Sequence, residues 1–253
     1  MLDIPSTNTP ADDLIKSSIQ NTVGQKRETI IKELLESGYV PSHMRTFVEI
    51  PIIFSDKQGV SHKLVISVLP DYLMIGNDQN HVRVPLWPLT AQKIADNWNC
   101  VLPTTKLVSI IWGASNKISP QPWGPPYDSS MQSVDRFLLH NDKIEKSILK
   151  LGYKTGDLLA GHKKDVVITK KLINKPDAVA IFGWHQLNGQ PIQPLYLGHS
   201  NVYCDYSHGI RLISKECFLD DQKDDLSKIM QNADLCNSIS SEGPMTLVRQ
   251  PLV

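Results

Sequence analysis

Five of the eight histidines in this chain fall in its second half, at His140, His162, His185, His199 and His208. Three of them adjoin glycine, as Gly161-His162, Gly198-His199 and His208-Gly209. A glycine lets backbone approach a ligand closely and leaves the neighbouring imidazole uncovered. Acids and phenols are interspersed with them: Asp157, Asp165, Tyr203, Asp205 and Tyr206. Imidazole titrates near neutrality, so this mixture suits general acid–base catalysis or metal ligation. The candidate catalytic groups are His162, Asp165, His199 and His208. Trp184, His185, Tyr203, Asp205, Arg211 and Lys163 are the candidate substrate-binding groups, Arg211 offering a bidentate fork for a carboxylate. A metal reading uses the same residues: His162 and Asp165, with His185, His199 or His208, make the three N/O ligands of a catalytic zinc site. The acid–base reading requires no cofactor. A third reading is a non-enzymatic ligand-binding module whose pocket the histidines and Trp184 line. Any one of these histidines is also compatible with capping a turn or filling a half-buried strand.

The segment Gly156-Asp157-Leu158-Leu159-Ala160-Gly161-His162-Lys163-Lys164-Asp165-Val166-Val167-Ile168 resembles part of the NlpC/P60 cysteine peptidases, a papain-like family. There, a Gly-Asp-Leu turn precedes a histidine that opens a strand. His199-Ser200-Asn201-Val202-Tyr203 has a similar shape. The resemblance implies Cys100, upstream of a helix opened by Thr104, as nucleophile, and His162 or His199 as base. Asp165 or Asp205 would orient that base. A helix N-terminus and a nearby imidazolium both favour thiolate. It further implies a hydrolase acting on an amide or peptide bond, as in cell-wall peptides. Val101-Leu102-Pro103 departs from the small residues that follow the family's cysteine. Tyr206-Ser207-His208-Gly209-Ile210-Arg211 resembles the Ser-His-Gly-Cys signature of L,D-transpeptidases, but Ile210 stands where that cysteine would be, so the activity does not carry over.

The elements that must position these groups are legible from hydrophobic period. Helical spacing predicts helices over residues 11–20 and 25–37, the second stopped by Gly38. Alternation over 47–54 and 63–68, around Asp56-Lys57-Gln58-Gly59, predicts a β-hairpin. Further strands are expected at 71–76 and 81–84. Thr90 and Thr104 each read as a helix N-cap. The four prolines of 120–127 make a loop, and 131–151 reads as one long helix ended by Gly152. Short apolar runs at 165–168, 178–182, 194–196, 201–203 and 210–213 predict strands, and a last helix spans 226–233. The expected class is α+β, with N-terminal helices and a largely antiparallel, meandering sheet with helices segregated to one side. Residues 1–40 read as a helical extension, and 41–253 as a single α+β domain holding the candidate site in 140–211.

Composition narrows the function classes. Lys and Arg total 26 against 26 Asp and Glu, so the formal net charge is zero. Phosphate neutralisation drives nucleic-acid affinity, and a chain without basic excess is not expected to bind nucleic acid. The expected partner is a small-molecule or peptide substrate. The four cysteines, Cys100, Cys204, Cys217 and Cys236, include no C-x-x-C pair and suggest neither a zinc knuckle nor a disulfide scaffold. Met1-Leu2-Asp3-Ile4-Pro5 lacks the basic and apolar regions of a signal peptide. No apolar run approaches the roughly 20 residues of a membrane span. The expected location is cytoplasmic. Phosphate-binding glycine loops and the G-x-S-x-G nucleophile elbow are absent.

Overall fold

Strict alternation along the first apolar segments builds the hairpin β1 (Val48–Ser55) and β2 (Ser61–Val68) in the computed structural model, which describes residues 1–2, 4–5 and 18–252. Its strands pair from Val48 opposite Val68 to Ser55 opposite Ser61. Ile50, Leu64, Ile66 and Val68 turn inward and are buried. The Asp56 carboxylate closes the loop by accepting the Gln58 and Val60 N–H groups.

β2 is the centre of a six-stranded sheet. It also pairs with β12 (Ile213–Ser214) and β13 (Glu216–Leu219). β13 turns back into β14 (Gln222–Asp225), and β5 (Cys100–Val101) lies beside β12. Sequence period does not predict β5, β13 or β14: two-residue strands and charged strands carry no apolar rhythm. The short ribbon β3 (Met74–Gly76) and β4 (His81–Arg83) occupies the two segments expected at 71–84.

A second sheet has the order β10 (Pro191–Ser200), β9 (Ala178–His185), β8 (Lys164–Val166), β11 (His208–Gly209). Its pairings are antiparallel except β8 with β11, and a small parallel ribbon joins β6 (Asn116–Lys117) to β7 (Leu159–Ala160). The expected single meander is therefore two main sheets. Residues 201–203 are a turn rather than a strand, closed by the Tyr203 N–H donating to the Ser200 carbonyl at 3.1 Å.

The α-helices that lie wholly within the described residues are α1 (Gly24–Glu36), α2 (Pro88–Asn97), α3 (Thr105–Ala114), α4 (Val134–Leu151) and α5 (Leu226–Gln231). Thr104 caps α3 as expected, its hydroxyl accepting the Leu107 N–H at 3.1 Å. Thr90 does not cap α2. That helix starts earlier, with Pro88 in its first turn, where proline's fixed φ and missing N–H cost nothing. A 3₁₀ turn over Ser129–Gln132 precedes α4, so the helix begins at its cap Ser133 rather than at Met131. Gly152, at φ 70°, ends it in the left-handed conformation that glycine adopts freely.

The helix expected over 11–20 lies mainly outside the described residues, although Ile19 is fully buried. α1 is joined to the rest of the fold: Ile31 and Leu35 enter the main core, and the Glu28 carboxylate accepts the Trp87 N–H at 3.0 Å. The chain is α+β.

Candidate functional site

β8 is the hub around which the candidate residues gather. On one side it pairs with β9, Lys164 opposite Gly183 and Asp165 opposite Phe182. On the other it runs parallel to β11, which sets His208 beside Lys164 and Gly209 beside Asp165. That second pairing requires glycine. A Cβ on Gly209 would sit 2.5 Å from Cδ1 of Tyr72 and 2.7 Å from Cβ of Lys163. Successive residues of a strand point to opposite faces, so Lys164 and Asp165 serve different clusters.

The cluster on the Lys164 side contains His199, Tyr203, Asp205 and His208. One oxygen of the Asp205 carboxylate accepts the Ser207 N–H at 2.8 Å and its hydroxyl at 2.5 Å. The other accepts the Tyr203 hydroxyl at 3.0 Å and lies 4.0 Å from Nε2 of His208. His208 is fully buried, and among the described residues neither ring nitrogen has a hydrogen-bond partner.

His199 is only half-buried. It stacks on the Tyr203 ring at 4.1 Å between centroids and lies 6.2 Å from the His208 ring. Tyr196 meets it edge-on at 5.3 Å. In a regular strand, residues three apart face opposite ways. Here Tyr196 pairs with Ile181 and His199 with Val179, so an extra residue is accommodated between them. This β-bulge turns Tyr196 and His199 to a common face. The Lys164 ammonium lies 4.9 Å from the Trp184 ring centroid. Trp184 itself has φ 56°, a strained conformation for a bulky residue, and such strain collects at functional sites.

The electrostatics of this cluster favour a neutral base beside a fixed charge. Burial pulls the Asp205 carboxyl up, but His208, Lys164 and the hydrogen bonds from Ser207 outweigh it and hold it at about 2. Burial pushes His208 down to about 4 against the pull of Asp205. His199 is also lowered by burial, with Asp205 opposing and Lys164 assisting. Burial lowers Lys164, and burial together with Asp205 raises Tyr203.

The remaining predicted residues lie elsewhere around β8. His162, at its N-terminal end, is fully buried, and its Nε2 donates to Asp71 at 3.0 Å. Asp71 in turn accepts from Arg83 at 2.6 and 3.1 Å, and Arg83 reaches Glu145 at 2.5 Å. Burial lowers His162 to about 4 despite Asp71. Lys163 is fully buried, donates to the Tyr206 carbonyl at 2.5 Å, and is brought down to about 7 by burial.

Asp165, on the opposite face of β8, accepts the Tyr72 hydroxyl at 2.9 Å and is pushed up by burial to about 7. With Arg211, His185 and Trp112 it lines a closed hollow that has no room for a water molecule. Arg211 does not present a free fork. Its guanidinium donates to the Leu69 and Leu159 carbonyls at 2.9 and 2.6 Å and lies over the Tyr72 ring. His185 is buried and stacks on Trp112 at 5.4 Å.

Cys100 lies in the other sheet, in β5 opposite Ser214. Its thiol donates to the Trp98 carbonyl at 3.3 Å, and burial pushes it up to about 12. Thr104, the cap of α3, bridges to Ile168, beyond the C-terminal end of β8, whereas His162 lies before its N-terminal end. The helix terminus that would activate this thiol is capped by Thr104, and the His162 ring is bonded to Asp71 rather than to the thiol.

Sequence spacing gave no sign of Tyr72, Asp71 or Arg83, which come from a distant part of the chain. Lys164, next to the candidate Lys163, was not itself singled out. The two-residue period of β8 was the signal separating it from Lys163, since adjacent strand residues face opposite ways. Among the described residues, no three His, Cys, Asp or Glu side chains converge to hold a metal ion, and no helix is long and apolar enough to cross a membrane. Compared with known families, curated proteins and solved structures, the chain has no match.

Proposed function

We propose that this protein hydrolyses an amide or peptide bond by general acid–base catalysis at the Lys164, His199, Tyr203, Asp205, His208 cluster. The observation that carries the reading is a half-exposed imidazole, lowered by burial, stacked on a tyrosine whose hydroxyl is fixed by an ionised buried carboxylate. His199 takes a proton from water, whose oxygen bonds to the acyl carbon. The Lys164 ammonium stabilises the oxyanion that forms, as a fixed charge in a partly dehydrated site does. The carbon–nitrogen bond then breaks, and the imidazolium of His199 returns its proton to the departing amine. Asp205 orients Tyr203 and balances Lys164, while neutral His208 fills the space behind. The choice of an amide rests on the resemblance of residues 156–168 to the NlpC/P60 peptidases. Cys100, buried and with its thiol raised, takes no part.

Amine release from a peptide panel by the purified protein tests this. His199→Ala should lower kcat at least ~10²-fold with an unchanged circular dichroism spectrum. Cys100→Ala should keep full turnover. Loss of turnover in Cys100→Ala, with His199→Ala unaffected, would overturn the assignment in favour of the thiol. Binding of peptides without any amine release would instead favour the ligand-binding module.

A further inference from the structure

We infer that the substrate is an extended peptide that adds as a strand to the free edge of β10 and carries glutamate at alternate positions. This rests on the acid–base reading for the meaning of the word substrate, but the binding mode stands on separate observations. β10 is the terminal strand of its sheet and pairs only with β9 among the described residues. An unpaired strand edge offers a row of N–H and C=O groups to any extended chain. Pro191 and Pro194 blunt the first half of this edge, since proline donates no N–H. Residues 196–200 contain no proline and include His199.

The chemistry beside the edge selects the occupant. Leu195 points to the face opposite Tyr196 and, with Phe182, floors an open hollow of about 670 Å³. Lys170 and Lys171 stand on its rim. Lys106 is there too but donates to the Asn237 carbonyl, and Glu242 is engaged by Thr169 and the Lys170 N–H. An apolar floor beside two ammonium groups that have no ion-pair partner among the described residues fits a side chain with an apolar stem and a terminal carboxylate. Glutamate has that form. A peptide strand along residues 196–200 would send every second side chain to the face of the sheet on which Leu195 and the hollow lie, and the intervening ones to the face of Tyr196 and His199. The prolines also shorten the edge that a second full-length β10 would need for pairing, which favours a peptide over a second copy of the chain.

Fluorescence anisotropy of the full chain with a fluorescein-labelled octapeptide of alternating Glu and Val tests the inference. Two N-methylated versions, one blocked at the odd amides and one at the even, discriminate the mode. In an added strand only one of the two sets of amides faces β10. One methylated series should therefore lose affinity about tenfold or more, and the other should bind as the parent does. Replacing Glu by Lys in the peptide, or Lys170 and Lys171 by Glu in the protein, should each weaken binding several-fold. Equal affinity of all three peptides, equal loss in both methylated series, or no binding of the parent would each overturn strand addition. A dimer seen by light scattering that Gly198→Pro converts to monomer would assign the edge to a second copy and overturn the peptide. A peptide bound in the expected pattern yet never cut would defeat the hydrolase reading and leave this inference intact.

Discussion

The Asp205 carboxylate shapes the behaviour of the candidate base from a distance. It raises His199 while burial lowers it, and the net position is below the ordinary 6.5. A base must be neutral to work, so the acid limb of kcat/KM should lie below pH 6.5. Asp205→Asn removes the charge that favours the imidazolium, and the limb should move to still lower pH. A pH–rate profile of the two proteins checks this, and a limb that moves upward contradicts the assigned geometry. A different residue-scale prediction concerns Arg83. Its guanidinium is the partner of Asp71, and both are almost fully buried, at 2% and 3% exposure. Arg83→Ala would leave an uncompensated carboxylate inside the protein and should cost about 3–5 kcal/mol in urea denaturation. His162, lowered by burial to about 4, is uncharged at neutral pH and cannot replace that cation.

At the scale of elements, the parallel seam between β8 and β11 is what brings His208 to Lys164. Gly209→Ala forces a methyl group against Tyr72 and the Lys163 Cβ, neither of which is the loose end of a side chain. The substitution should destabilise the fold by about 1–3 kcal/mol, read from the thermal or urea midpoint. Stability unchanged within error would mean that the seam is looser than described. The strands carrying apolar alternation and the helices carrying caps were legible in the sequence: β1, β2 and α3 lie where period and capping residues put them, and α4 ends at Gly152 as expected although it begins later than its apolar period suggests. The bulge between Tyr196 and His199 was not legible. It depends on which residues of β9 lie opposite, and register is a property of two strands together.

The whole molecule buries an unusual set of titrating groups, and this makes stability depend on pH. His162 and His208 are each lowered to about 4, and His140 is lowered further, chiefly by burial. In the unfolded chain an imidazole titrates near 6.5, so as pH falls the unfolded state takes up protons that the folded state refuses. This contribution is fully present above pH 6.5 and is lost as pH falls through about 4. Asp165, raised to about 7, acts in the opposite sense: its contribution is present at low pH and lost as pH rises through 7. Three imidazoles outweigh one carboxyl in the acid window. The urea midpoint should therefore fall steadily from about pH 6.5 to pH 4. A midpoint that holds constant or rises on acidification would show that these rings are charged in the folded state.

The sequence by itself determined the α+β class, the long helix over α4, the first hairpin and the stretch of chain in which histidine, phenol and carboxylate are dense. These follow from local period, capping and composition, which act between residues close in the chain. Only the tertiary structure decided how that stretch divides. Adjacent positions such as Lys163 and Lys164, or Lys164 and Asp165, are sent to different sides of one strand. His162 is claimed by Asp71, which Arg83 holds in turn, and Arg211 by two carbonyls. His199, Tyr203, Asp205 and His208 are left together at a partly open edge. Partners for a buried polar group are chosen by packing across the whole fold, because a charge removed from water must find compensation wherever the chain supplies it.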